Sequence, residues 1–288
     1  MSLIVPGSFL FKRVYLLGTG LIGGSLALDL KDRGITESIV GSDALPERAE
    51  VARNLGILDE VLPLVSEVVA ECDLIILAVP VLTLREVLKE GFEENALVTD
   101  VGSIKGEAVQ GYREAVASGK DYRYVPGHPI AGDERSGPDA ARRGLFESAR
   151  VILTPVGANE RDVSAVRSMW EGVGASVKFM DPEEHDEVFA WVSHMPHMAA
   201  YAILDSVLSR DPEMVDLSGG GLRDYTRIAA SSPRMWADIA VANREKLLNA
   251  TRGLGESVSR IISALEEGDR ENLENIFERI AAVRRPGE

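Results

Sequence analysis

"VYLLGTGLIGGSLALDLKDRG", residues 14–34, runs from a β-rich start through Gly18-Thr19-Gly20-Leu21-Ile22-Gly23 into a helix whose small residues can lie close to a sheet. In that setting Gly18 makes a tight turn, Gly20 lets the backbone approach a pyrophosphate, and Gly23 permits close helix packing. Thr19, Leu21 and Ile22 belong to the same cofactor-binding segment. A glycine-rich turn with only a packing role would carry the same letters. The strand before it, the helix after it and Asp43 about 20 residues further on, ending the next strand, favour a dinucleotide site. An acid at that place suits the ribose hydroxyls of NAD and repels a 2′-phosphate. Arg48, a helical turn beyond, leaves NADP open and reads equally as part of a solvated helix face.

Outward from that stretch, between Arg13 and about Met180, β-rich runs alternate with helical ones: "RVYLLG", "SIVGSD", "DLIILAVP", "ALVTDVG", "YRYVPG", "RVILTP" and "SVKFMD". Such alternation predicts a mainly parallel, doubly wound α/β sheet of the Rossmann kind. "DLIILAVPV" is expected as its fourth strand, with Val79 and Pro80 at the carboxyl end beside the cofactor, although Pro80 reads equally as a strand terminator. After Asp181 the strands stop, and "DPEEHDEVFAWVSHMPHMAAYAILDSVLSR" opens a series of long segments with helical spacing. Asp181 fits an N-cap, with Pro182 in the first turn and acids facing the positive end of the helix dipole. The expected division is a Rossmann domain over residues 1–180 and an all-α domain over 181–288.

With 288 residues, 45% of them hydrophobic, the chain is long enough for two cores. A formal net charge of −15 speaks against nucleic acid and anionic membrane, whose phosphates demand clustered Lys and Arg. Apolar runs such as "LIILAVPVL" fall far short of the roughly 20 residues that cross a bilayer, and no signal-peptide pattern opens the chain. A cytoplasmic location is therefore expected. Cys72, the only cysteine, excludes an intrachain disulfide and a Cys-rich zinc site, and reads as a small hydrophobe before a strand.

Four further stretches carry chemistry. "VPGHPIAGDE" (residues 125–134) holds His128 among Pro126, Gly127, Pro129 and Gly132, and so reads as a rigid loop presenting an imidazole. "TDVGSIKG" places Ser103 after a strand, where it could equally cap the following helix. "VSHMPHMAAY" holds His194 and His197 around Pro196, which should kink the helix. Together with His185 they raise a metal reading, but no carboxylate or cysteine stands at a recognised ligand spacing and no metal is expected. "GGGLRDYTRIAASSPRMW" sets Arg223 and Arg227 four apart, on one helix face. Two guanidiniums there could grip one carboxylate, or pair with Asp224.

In this order, and ending with "MWADIAVAN", these segments resemble the prephenate/arogenate dehydrogenase family of tyrosine biosynthesis over nearly the whole chain. The resemblance implies an oxidative decarboxylation. A hydride leaves the hydroxyl-bearing ring carbon for NAD(P), the opposite carboxylate departs as carbon dioxide, and the ring becomes aromatic. It also implies that His128 is the base or hydrogen-bond acceptor, a role suited to a group with an unperturbed pKa near ~6.5. A structural hydrogen-bonding role for His128 stays open. By the same resemblance Ser103 hydrogen-bonds that histidine and the substrate, Arg227 holds a substrate carboxylate with Arg223 nearby, and His194 contacts the substrate side chain. Many family members carry lysine in place of Arg223. His197 is either a second contact or a core histidine, and Glu134 either gates the site or is an exposed loop charge. A homodimer through intertwined helical domains is implied, with prephenate or arogenate bound in the interdomain cleft. The length leaves no room for a fused ACT or chorismate mutase domain, so tyrosine feedback is expected at the active site or not at all. The rival readings are a β-hydroxyacid dehydrogenase or imine reductase, which rely on a helical-domain lysine, and a silent NAD-binding sensor.

Overall fold

In the computed structural model, which describes residues 9–133 and 135–283, β1 spans Phe11–Leu17 and α1 Leu21–Asp32, on either side of the glycine loop. There follow β2 (Thr36–Ser42), α2 (Pro46–Asn54), β3 (Glu60–Val61), α3 (Ser66–Val69), β4 (Leu74–Leu77), α4 (Val81–Glu90), β5 (Leu97–Asp100), α5 (Gly106–Ala117) and β6 (Arg123–Val125). The six strands pair in parallel in the order β3-β2-β1-β4-β5-β6, the Rossmann arrangement. Their side chains alternate between two cores. Val14, Leu16, Leu74 and Ile76 pack with Leu26 and Trp170 on one face, and Tyr15, Ile75 and Leu77 with Leu84 and Tyr122 on the other. β4 takes the fourth place, as expected. Because it neighbours β1, the switch point where such sheets bind ligands lies between the carboxyl ends of these two strands.

Past Val125 the single-sheet expectation is corrected. β7 (Gly127–Ile130), β8 (Arg150–Leu153), α6 (Glu160–Gly172) and β9 (Ser176–Phe179) form a separate unit in which β7 runs antiparallel to β8, and β8 parallel to β9. His128, expected on a loop, therefore lies on a strand opposite Ile152. Pro129 is tolerated there because β7 is an edge strand, where a missing N–H leaves no ladder bond unmade.

The rest is helical: α7 (Pro182–Phe189), a π turn (Ala190–His194), α8 (Met195–Arg210), α9 (Gly220–Thr226), a 3₁₀ turn (Arg227–Ala230), α10 (Pro233–Ala242), α11 (Arg244–Glu266) and α12 (Arg270–Ala281). Asp181 caps α7, its side chain accepting the N–H of Glu183 at 2.8 Å. Pro196 has no N–H to give the preceding turn, and the helical ladder opens into the π turn at that point. A buried cluster of Val81, Ile104, Trp236 and Ile239, with Met198 and Tyr201 against it, joins the start of α4 and the β5–α5 turn to α8 and α10. Among the described residues no helix is long and apolar enough to cross a membrane.

Candidate active site

The glycine loop leaves β1 at the carboxyl edge of the sheet, and each glycine is constrained differently. Gly18 adopts φ +96°, and a Cβ there would stand 2.3 Å from the carbonyl oxygen of Ala78, just past β4. At Gly23 a Cβ would stand 2.3 Å from the carbonyl oxygen of Gly18. At Gly20 a Cβ would meet nothing within 4 Å, so the loop leaves open room on that side. Gly20 has no side chain to cap α1, and the N–H groups of its first turn, from Leu21 and Ile22 onward, remain for an anionic ligand. Asp43 follows β2. Its carboxylate accepts Thr19 N–H and Thr19 Oγ1, both at 2.9 Å, and Leu45 N–H at 3.1 Å. This fixes it beside the loop, while a carboxylate's roughly four acceptor sites leave capacity for a ribose hydroxyl. Val79 and Pro80 sit across the switch point, with Pro80 preceding α4. An open backbone cradle, a bare helix N-terminus and an oriented acid fit a dinucleotide.

A buried polar cluster adjoins this edge. Asp100, the last residue of β5, accepts Lys105 Nζ at 2.5 Å, Tyr124 Oη at 2.9 Å, and the N–H groups of Gly102 and Gly127. Lys105 Nζ also donates to the carbonyl of Gly127 at 2.6 Å, and so fixes the backbone one residue before His128. Burial pulls the Lys105 ammonium below its usual pKa, and Asp100 opposes that pull. Half-buried His128 places Nδ1 2.8 Å from Nε2 of His185, whose own Nδ1 lies 2.7 Å from Oδ1 of Asp186. Asp186 accepts the N–H groups of Lys105 and Gly106 at 2.8 and 2.7 Å and thereby caps α5 from the helical domain. Burial holds the pKa of His128 well below its ordinary value, with His185, Lys105 and His194 adding to the effect. The imidazole is neutral near neutral pH and able to accept a proton.

The remaining sequence candidates are placed as follows. Ser103 lies half-buried in the β5–α5 turn, but it does not cap α5, which starts at Gly106. His194, expected against the substrate, is an interior residue in this structure, 1% exposed, with Nδ1 3.3 Å from Asn243 Nδ2. It is the last residue of the π turn before Pro196. His197 is half-buried, stacked on Trp236 with ring centroids 3.5 Å apart, and its Nδ1 donates to the carbonyl of Ser193 at 3.0 Å. Its Nε2 is left bare. Arg223 and Arg227 are exposed, but α9 ends at Thr226 and Arg227 opens the 3₁₀ turn, so the two do not share one regular helix. Arg223 Nη2 donates to the carbonyl of Ser218 at 2.9 Å. Glu134 lies outside the described residues.

Residues 26–179 match the family model of the prephenate dehydrogenase nucleotide-binding domain, and residues 181–279 that of the prephenate dehydrogenase dimerization domain. The chain belongs to the prephenate dehydrogenase family. It is similar to the prephenate dehydrogenase of Bacillus subtilis, 37% identical over 92% of this chain and 73% of that one. The cyclohexadienyl dehydrogenase of Zymomonas mobilis is 34% identical over 91% of this chain and 92% of its own. The crystal structure of the Aquifex aeolicus prephenate dehydrogenase with hydroxyphenyl propionate and NAD+ superposes with a TM-score of 0.85 at 37% identity, covering 96% of this chain and 98% of that one. As a member of this family the chain is an enzyme, a dehydrogenase, and neither rival class is favoured by these matches.

Within this dehydrogenase the residues that sequence reading missed are Lys105, His185, Asp186 and Asn243. In the sequence His185 reads only as a candidate metal ligand. A usable signal was its spacing from Phe189: the two stand one helical turn apart, on the face of α7 that becomes buried.

Proposed function

We propose that the chain catalyses the oxidative decarboxylation of a cyclohexadienyl carboxylate, prephenate or arogenate, to 4-hydroxyphenylpyruvate or tyrosine with NAD as the cofactor. The observation that carries this reading is the geometry of His128, its Nδ1 2.8 Å from His185 and its pKa lowered by burial, in a chain of this family whose glycine loop forms an open cradle at the sheet edge. When bound, NAD would supply the hydride acceptor. Gly18 to Gly23 and the first turn of α1 hold its pyrophosphate, Asp43 its ribose, and Val79 and Pro80 its flank. NADP stays a weaker expectation, because Asp43 would repel a 2′-phosphate.

His128 draws the proton from the ring hydroxyl as that carbon is oxidised, a contribution typically of about 10²–10⁴ in rate. Its Nδ1 is engaged with His185, so Nε2 is the working atom. Ser103 orients the hydroxyl, Arg227 holds a substrate carboxylate with Arg223 beside it, and His197 takes the side-chain contact first expected of His194. Glu134 is proposed to gate the cleft. The active form is a cytoplasmic homodimer built on the helical domain over residues 181–288, with the cofactor held by residues 1–180. Apolar side chains left exposed along α11 and α12, including Val258, Ile262, Leu265, Phe277 and Ile280, support that pairing.

The test is NADH absorbance on mixing the protein with prephenate or arogenate, each with NAD and with NADP. Turnover in one or more combinations is expected and names both substrate and cofactor; silence in all four would sink the reading. His128→Asn should keep NAD affinity and lose about 10²–10⁴ in kcat.

A further inference from the structure

Asp186 is the anchor from which the protonation of the cluster can be read. Both of its oxygens accept backbone N–H groups, from Lys105 at 2.8 Å and Gly106 at 2.7 Å. Burial opposes its charge, yet the contact with His185 and these N–H groups hold its pKa below the usual carboxylate range. An ionised carboxylate can only accept. The Nδ1 of His185, 2.7 Å from Oδ1 of Asp186, must therefore carry a hydrogen.

A cationic His185 would donate from both nitrogens, but burial pushes its pKa down, Asp186 only partly offsetting the effect. In the neutral ring, with Nδ1 protonated, Nε2 is bare and can only accept. His128 Nδ1, 2.8 Å away, must then be the donor, and its own Nε2 has no hydrogen. Each assignment forces the next. The frame is stiff: Asn243 Nδ2 donates to the carbonyl of Asp186 at 2.8 Å, and the Phe189 ring lies 4.9 Å from His128 and 4.5 Å from His185, centroid to centroid.

We infer that His185 and Asp186 are positioning residues that lock His128 in the tautomer with Nδ1 protonated and Nε2 free. The inference rests on the proposed function for its catalytic meaning and on the geometry alone for the tautomer. In the reacting state the substrate O–H bond breaks and an N–H bond forms at His128 Nε2, with no other atom exchanged. The cation so formed donates through Nδ1 to His185, which donates in turn to the charge of Asp186. With the other tautomer, Nε2 would present a hydrogen to the hydroxyl and could not receive one.

Two measurements test this. In the ¹⁵N NMR spectrum of histidine-labelled protein without substrate, near neutral pH, His128 (assigned by its loss in His128→Asn) should show a protonated Nδ1 and a bare Nε2. The reverse pattern overturns the inference. In kinetics, His185→Gln keeps an acceptor that can reach His128 Nδ1 and should stay within about tenfold of wild-type kcat, whereas His185→Leu removes it and should lose roughly 10²-fold or more, with KM for NAD unchanged in both. A merely structural role predicts equal losses in the two variants, and that result would overturn the inference as well. Should His185→Leu fail to fold, the NMR pattern decides. The NMR experiment contains no substrate, so the expected tautomer in a protein that turns over neither prephenate nor arogenate would condemn the proposed function and leave this inference standing.

Discussion

The cofactor loop and the histidine cluster lie at one edge of the same sheet and are built in opposite ways. The loop from Gly18 to Gly23 is contiguous, and its chemistry comes from backbone and from missing side chains. The cluster gathers Asp100, Lys105, His128, His185, Asp186 and Asn243 from segments far apart in the chain, and its chemistry comes from side chains, all but the half-buried His128 buried, that answer one another. The difference lies in how each can fail. A backbone cradle tolerates any change that respects its shape. A buried polar network loses more when one member goes than that member contributed, because its partners stay buried and unpaired.

The largest expected effect follows from removing such a member. Lys105 and Asp100 are both 0% exposed along their side chains, and Lys105 also holds the Gly127 carbonyl. Lys105→Met keeps the length and removes the charge, stranding a carboxylate and a carbonyl. It should cost about 3–5 kcal/mol in urea unfolding. A loss below about 1 kcal/mol would mean that this pair does not hold the cluster together.

Acid should act on the same region more gently. The protein has four histidines, His128, His185, His194 and His197, and burial lowers the pKa of each in the folded state. For His194 the fall is from 6.5 to about 4. Between those values the unfolded chain binds a proton that the folded protein refuses, so stability is full above pH 6.5 and falls as the pH drops toward about 4. His194 alone should account for on the order of 3 kcal/mol of that loss, and the other three histidines add in the same direction. Urea midpoints that stay level across this window would contradict the interior placement of His194.

What the sequence made legible divides along the same line. The cradle, the place of β4 and the cap at Asp181 could be read because each depends on neighbours in the chain: glycines at a turn, an apolar run, an acid before a proline. The His185–Asp186 pair was hidden inside "DPEEHDE", which reads as a solvated, dipole-facing helix start. Its burial comes from α7 packing on α5, a contact between residues some eighty apart in sequence. The burial of His194 falls at the end of a π turn, whose register no spacing rule supplies. The second sheet was missed because Pro129 looks like a loop residue until one knows that its strand lies at an edge, and Pro126 breaks the chain between β6 and β7.

The smallest effect is the one that separates shape from chemistry inside the cradle itself. Gly18→Ala would force a left-handed φ on a residue with a Cβ and drive that Cβ into the Ala78 carbonyl, so it should destabilise the protein by on the order of 1–3 kcal/mol and lower Tm. Gly20 has an ordinary φ of −69° and free space around its Cβ position. Gly20→Ala should therefore leave stability within about 0.5 kcal/mol of wild type. Its methyl group nevertheless stands where a pyrophosphate would approach, and NAD affinity should fall about tenfold, an effect of about 1.4 kcal/mol by titration. If Gly20→Ala binds NAD as wild type does, the phosphates do not pass over this loop. If its Tm falls as far as that of Gly18→Ala, the space beside Gly20 serves folding, and the contrast between a cradle made of shape and a cluster made of partners no longer holds.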